Sequence, residues 1–178
     1  MDLQEWFWLI ARATGLASYG ALCLSILFGV ALRTSVMDFV ANNRTLRSVH
    51  DFVTYLWIPF GIAHIVTLIL DRTSQVGPLD VVVPFLVGYG QLAIGLGTLS
   101  FDLAVIIIVT SWLRRRMDDR LWRWIHRTGY VCFALVFLHS YLSGTDFDTP
   151  LISAFTWSAA LGLALHSGVR LLWGRIPE

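Results

Sequence analysis

The chain contains no lysine, and all 13 of its basic residues are arginine. Charged residues make up only 14% of the 178 residues, against about 25% in soluble domains. With 56% hydrophobic residues gathered into long runs, that shortage excludes an ordinary soluble enzyme and points to a polytopic membrane protein. The formal net charge is +1, so the basic footprint of a nucleic-acid binder is missing and no nucleic-acid partner is expected. Cysteine is nearly absent. Cys23 and Cys132 stand singly in apolar runs, with no disulfide framework, no zinc spacing and no CxxCH haem-attachment motif. Both read as small buried hydrophobes. The chain also lacks a P-loop and a GxGxxG after a strand, so no nucleotide site is legible. Without internal repeats or low-complexity segments, it reads as one domain over residues 1–178.

What is present is a series of apolar runs near the roughly 20 residues that a membrane crossing needs. Five are expected to span: Phe7 to Leu32, Ser48 to Leu70, Gln91 to Leu113, Trp124 to Leu142 and Leu151 to Trp173. The fold class is therefore an all-α polytopic bundle of about five transmembrane helices, in contact with membrane lipid. Leu79 to Tyr89 is apolar but short and broken by Pro84 and Gly88. It is expected to lie in the interface or to fold over the bundle. Eleven of the 13 arginines fall on one side, in segments 33–47 and 114–127 and at the C-terminal end. The positive-inside rule makes that side cytoplasmic, with the N-terminus outside and the C-terminus inside. Met1 to Trp8 is acidic and has no basic n-region, so no cleavable signal peptide is expected. Trp6, Trp8, Trp112, Trp122, Trp124 and Trp173 sit at span ends, where interfacial aromatics belong.

The functional signal is the histidines. His50 and His64 lie 14 residues apart on the second span, and His126 and His139 lie 13 apart on the fourth. Fourteen residues are about 3.9 helical turns, so His50 and His64 face nearly the same way, about 21 Å apart along the axis. Thirteen residues are about 3.6 turns, so His126 and His139 share a face only if the helix is locally overwound or the ring rotamers compensate. Both spans run from inside to outside, which matches the two pairs in depth. His50 then faces His126 near the cytoplasmic surface, and His64 faces His139 near the outer one. Two histidines on opposing helices can clasp one haem from both faces, and two such clasps stack two b-type haems across the hydrocarbon core.

These residues resemble the ferric-reductase-like transmembrane domain. That superfamily includes ferric reductases, NADPH oxidases and the haem subunit of the periplasmic methionine sulfoxide reductase system. The sharpest stretch runs from Trp122 to Asp146, with its HR start and H-x12-H spacing, and the companion is H-x13-H from His50 to His64. The resemblance implies two haem b groups, ligated by His50 and His126 on the inner side and by His64 and His139 on the outer. It implies electron transfer from a cytoplasmic-side donor to an outer-side acceptor or partner subunit, in a bacterial inner (plasma) membrane. The family's flavin and NADPH module is not among these residues, so a separate donor protein carrying flavin, or a membrane quinol, is expected. A haem subunit of a methionine sulfoxide reductase-type system and a non-catalytic subunit of a larger membrane complex are the alternatives.

Arginine pairs well with haem propionates. Arg12 enters the first span at about the outer haem's level, and Arg47 and Arg127 flank the inner ligands. Snorkelling and the positive-inside rule account for the same positions. Pro59 and Gly61 precede His64, where they either admit a macrocycle or simply kink the helix. Phe52, Trp57, Phe60, Phe133 and Phe137 are aromatic candidates for ring packing or plain core. Asp102 is a costly charge in the middle of the third span, and His166 lies within the fifth. Asp102 is read as protonated, paired or part of a proton route, and His166 as lining a quinone site, replacing a haem ligand or making a helix contact.

Overall fold

The computed structural model describes residues 2–34, 37, 39 and 41–173, with backbone alone for 169–173. Arg175 and the side chains of Arg170 and Trp173 therefore lie outside the described residues. Six α-helices follow one another: α1 (Leu3–Ala31), α2 (Asn43–Leu70), α3 (Gln91–Trp112), α4 (Asp119–Arg127), α5 (Gly129–Ser143) and α6 (Pro150–Trp173). 3-10 turns stand at Arg114–Arg116 and Thr145–Asp148, and no strand occurs among the described residues. Helices α1, α2 and α3 and residues Pro150–Gly168 of α6 are each long and apolar enough to cross a membrane.

Helices α1 and α2 begin several residues before their apolar runs, because capping chemistry starts them. Asp2 and Glu5 cap each other reciprocally, each backbone N–H donating to the other's carboxylate at 2.8 Å. Asn42 Oδ1 accepts from Thr45 N at 3.0 Å at the head of α2.

The expected fourth span is not one helix. It divides into α4 and α5 at Thr128. There the Thr128 backbone N–H donates to Ile125 O at 3.0 Å, a tight i to i−3 bond, and its hydroxyl donates to the same carbonyl at 2.6 Å. A threonine hydroxyl that competes for helix carbonyls loosens the regular ladder, and Gly129 follows at once. The 15 residues of α5 fall short of the roughly 20 needed to span alone.

The chain packs as two compact units. One comprises Arg12–His64 and Asp146–Glu178, and the other Met1–Ala11 and Ile65–Thr145. In the first, α1 and α2 run antiparallel along a seam of small residues. A Cβ on Gly15 would meet the His64 ring, one on Gly61 would touch Ser18 Oγ, and one on Gly29 would meet the His50 ring. Ser25 Oγ and Thr54 Oγ1 share a hydrogen bond at 2.7 Å. Steps of three, seven and four residues along α1 are thus matched by equal steps back along α2. That is the heptad spacing of supercoiled helices, here built from small side chains as in membrane bundles. In the same unit, Tyr19 OH donates to Thr156 O of α6 at 3.4 Å.

In the second unit, α3 presents buried Ala93, Gly95, Thr98, Ser100 and Ala104, and α5 packs against it through buried Cys132, whose thiol lies 3.5 Å from Ser100 O. The connection between α2 and α3 folds over the start of α3. Thr98 Oγ1 donates to Asp80 O at 2.7 Å, and Gln91 Nε2 donates to Phe85 O at 2.7 Å. Buried Asp71 anchors the other end, accepting from Thr73 N at 2.9 Å and Thr73 Oγ1 at 2.7 Å. Both cysteines are buried and free.

Candidate functional site

Each unit carries one pair of histidines. His50 and His64 lie on α2 in the first, and His126 on α4 and His139 on α5 lie in the second. Each ring's setting follows from the helix beside it.

His50 is half-buried against α1. Its Nδ1 lies 2.7 Å from Ser25 O and 3.4 Å from Ser25 Oγ. Thr54 Oγ1, bonded to Ser25, also donates to His50 O at 2.8 Å, which ties the three residues into one cluster. His139 repeats the arrangement on another helix pair, with Nδ1 2.8 Å from Ala93 O of α3. A carbonyl only accepts, so in both rings Nδ1 carries the proton. A neutral imidazole then has its lone pair on Nε2. A carbonyl on one ring nitrogen raises the basicity of the other, as it does in histidines that bind metals. Ser143 adds a hydroxyl 3.3 Å from His139 Nδ1. His64 lies with its Nδ1 edge against Gly15.

His126 is set differently. Its ring stacks on Trp122, with centroids 5.0 Å apart and planes 23° apart. The Arg114 guanidinium lies 4.1 Å from the centre of the Trp122 ring, so the indole meets both a cation and an imidazole. Arg114 thus has a packing role besides its charge.

The expected propionate arginines are diverse. Arg12 is held by the Asp146 carboxylate, Nε to Oδ2 at 2.9 Å and Nη2 to Oδ1. Arg47 is exposed in the second turn of α2. Arg127 closes α4 with its guanidinium 5.4 Å from the Trp124 ring. Among the aromatic candidates, Phe52 is 62% exposed, while Phe137 stacks on Tyr141. His166 Nδ1 lies 2.8 Å from Gly162 O in its own helix, a local contact. Asp102 sits half-buried within α3. Among the described residues, no group of three or more His, Cys, Asp or Glu is placed to hold a metal ion. The chemistry offered is therefore that of single imidazoles with a fixed nitrogen, the donor that a macrocycle-bound metal takes at an axial position.

Sequence reasoning missed Gly15, Gly29, Gly97, Trp122 as a stacking partner and Asp146. One signal was there to be read. Gly15 and Gly29 are separated by the same 14 residues as His50 and His64. No family model, curated protein or solved structure matches the chain.

Proposed function

We propose that the chain is a di-haem cytochrome b that carries electrons across a membrane, in which His50, His64, His126 and His139 would hold the two haems. The pairing of His50 with His126 and of His64 with His139 rests on the two sequence spacings. The observation that carries the reading is the carbonyl-bound Nδ1 of His50 and of His139, which makes Nε2 the lone-pair atom of each. Haem held by these histidines would supply one-electron transfer, which suits relay.

The chain's own residues do the rest. The helices exclude water and hold the imidazoles at two depths. Arg47 and Arg127 supply positive charge beside the inner ligands, and Arg12 supplies it at the outer level, where Asp146 fixes the guanidinium. The broken α4–α5 element acts as the fifth crossing. The arginine-rich side faces the cytoplasm of a bacterial plasma membrane and takes a flavoprotein or a quinol as donor, with the acceptor outside.

Pyridine haemochrome quantitation on the purified chain, with a reduced-minus-oxidised spectrum, tests this. Two low-spin b haems per chain are expected, falling to one in His139→Ala. A haem-free chain from its native membrane would sink the proposal.

A further inference from the structure

Three of the four paired histidines meet a glycine of a neighbouring helix, and all three do so with the same edge of the ring. A Cβ on Gly97 would stand 2.7 Å from His139 Nδ1, one on Gly15 2.9 Å from His64 Nδ1, and one on Gly29 3.3 Å from His50 Cε1 and 3.5 Å from its Nδ1. For His139 and His50, the carbonyl that accepts the Nδ1 proton lies four residues before the glycine: Ala93 before Gly97, and Ser25 before Gly29. In an α-helix that carbonyl already accepts the glycine's own N–H. Its second lone pair serves the imidazole. A side chain on the glycine would press against the ring edge that reaches this lone pair. The same device recurs on separate helix pairs in separate units.

We propose that Gly29 and Gly97 are positioning residues: by opening the Ser25 and Ala93 carbonyls, they hold His50 and His139 as Nδ1–H tautomers and present Nε2 as the ligating atom. Its consequence for haem rests on the function proposed above, whereas the tautomer itself does not. Gly15 gives His64 the same close approach. The hydrogen bond raises ligand basicity and so favours the oxidised metal, and its loss raises the reduction potential.

The first test is nitrogen-15 histidine NMR on the full purified chain. His50 and His139 are expected to be protonated at Nδ1, and a proton on Nε2 of either overturns the proposal whether or not haem is present. The second test compares Gly97→Ala, Gly29→Ala and Gly20→Ala, since Gly20 lies on α1 with nothing within 4 Å of its Cβ position. Gly97→Ala, with the tightest approach, is expected to drop from two haems per chain to one. Gly29→Ala is expected to keep two, with a raised midpoint potential at the inner one. Gly20→Ala is expected to match the parent. Unchanged haem content and potentials in both Gly97→Ala and Gly29→Ala overturn the proposal, and so does an equal loss in Gly20→Ala. A haem-free parent chain refutes the function but leaves the NMR result to decide this inference, as does a Gly97→Ala chain that fails to fold.

Discussion

Gly95→Ala isolates the packing of the connection over α3 from any question of cofactor. Gly95 is buried in α3 beneath Phe85. A Cβ there would lie 2.6 Å from Phe85 Cε1 and 2.7 Å from Cγ, and closer still to Cδ1. Three ring atoms at such distances leave no small adjustment, so the ring must move out. Phe85 is already in the left-handed region, at φ 63°. That conformation costs a non-glycine residue roughly 1–2 kcal/mol, which the seated ring offsets. Phe85 is 40% exposed, so displacing it forfeits only part of the roughly 1.5–3 kcal/mol that full burial of a large side chain contributes. Because the ring can swing out, overpacking strain stays at the low end of its range, about 1 kcal/mol, which gives a loss near 2–3 kcal/mol. Alanine's better helix propensity returns about 1 kcal/mol. The net expectation is destabilisation by about 1–2 kcal/mol, or about 2–8 °C in thermal midpoint for a chain of this size. Gly20→Ala carries the same propensity gain with open space around it, so the two variants are expected to differ by about 2–3 kcal/mol in thermal unfolding followed by circular dichroism in detergent. Phe85→Ala in the Gly95→Ala background should recover part of that gap. A Gly95→Ala chain as stable as Gly20→Ala would refute the reasoning.

Two further outcomes follow from ionisable groups. Arg12→Gln removes a charged, two-point hydrogen bond to Asp146, whose side chain is 14% exposed, and is expected to cost about 1.5–3 kcal/mol in the same unfolding assay. Asp146→Asn keeps one acceptor and should cost less, so the reverse order would count against the pair. Burial first, then the nearby Asp71 and Asp80 charges, pushes the Tyr89 phenol above its ordinary range. A folded-state value above the unfolded one means that stability is complete below the unfolded tyrosine value near 10, and falls as pH rises through the folded value. Unfolding midpoints across the alkaline range should therefore decline more steeply in the parent chain than in Tyr89→Phe, and parallel curves would refute the assignment.

Much of the fold was legible because apolar runs report directly on burial in lipid. The runs holding α1, α2, α3 and α6 stand out on length alone, and the apolar stretch 79–89 was too short and too broken to span, which left an interfacial or a folded-over position. The fourth run misled because hydropathy is blind to a threonine hydroxyl competing for a helix carbonyl. Nothing in the apolarity of residues 124–142 marks Thr128. The histidines were legible as costly polar groups in apolar surroundings. Their seats were less legible: the 14-residue spacing of Gly15 and Gly29 matches that of His50 and His64, but Gly97 carries no mark of the side chain it faces. Arg12 shows the same limit: its level in the chain was readable, but its engagement by Asp146, 134 positions away, was not.

The two histidine spacings are governed by different physics. In a straight helix, 14 residues fall about 40° short of a whole number of turns. Along a seam wound at about 3.5 residues per turn they make four whole turns. The α1–α2 seam steps in threes, fours and sevens, so His50 and His64 fall on one line and meet glycines with the same ring edge. Thirteen residues in a straight helix leave His126 and His139 about 140° apart. One turn of 3-10 geometry adds about 20° per residue over the α-helix, so the i−3 bond at Thr128 recovers roughly 60°. The rest is not demanded of a single helix, because His126 belongs to α4 and takes its orientation from Trp122 and Arg114. Helical periodicity therefore constrains the first pair, whereas the second depends on the break at Thr128. The helices that carry the two spacings are not built alike: α2 is continuous, whereas α4 and α5 meet at Thr128.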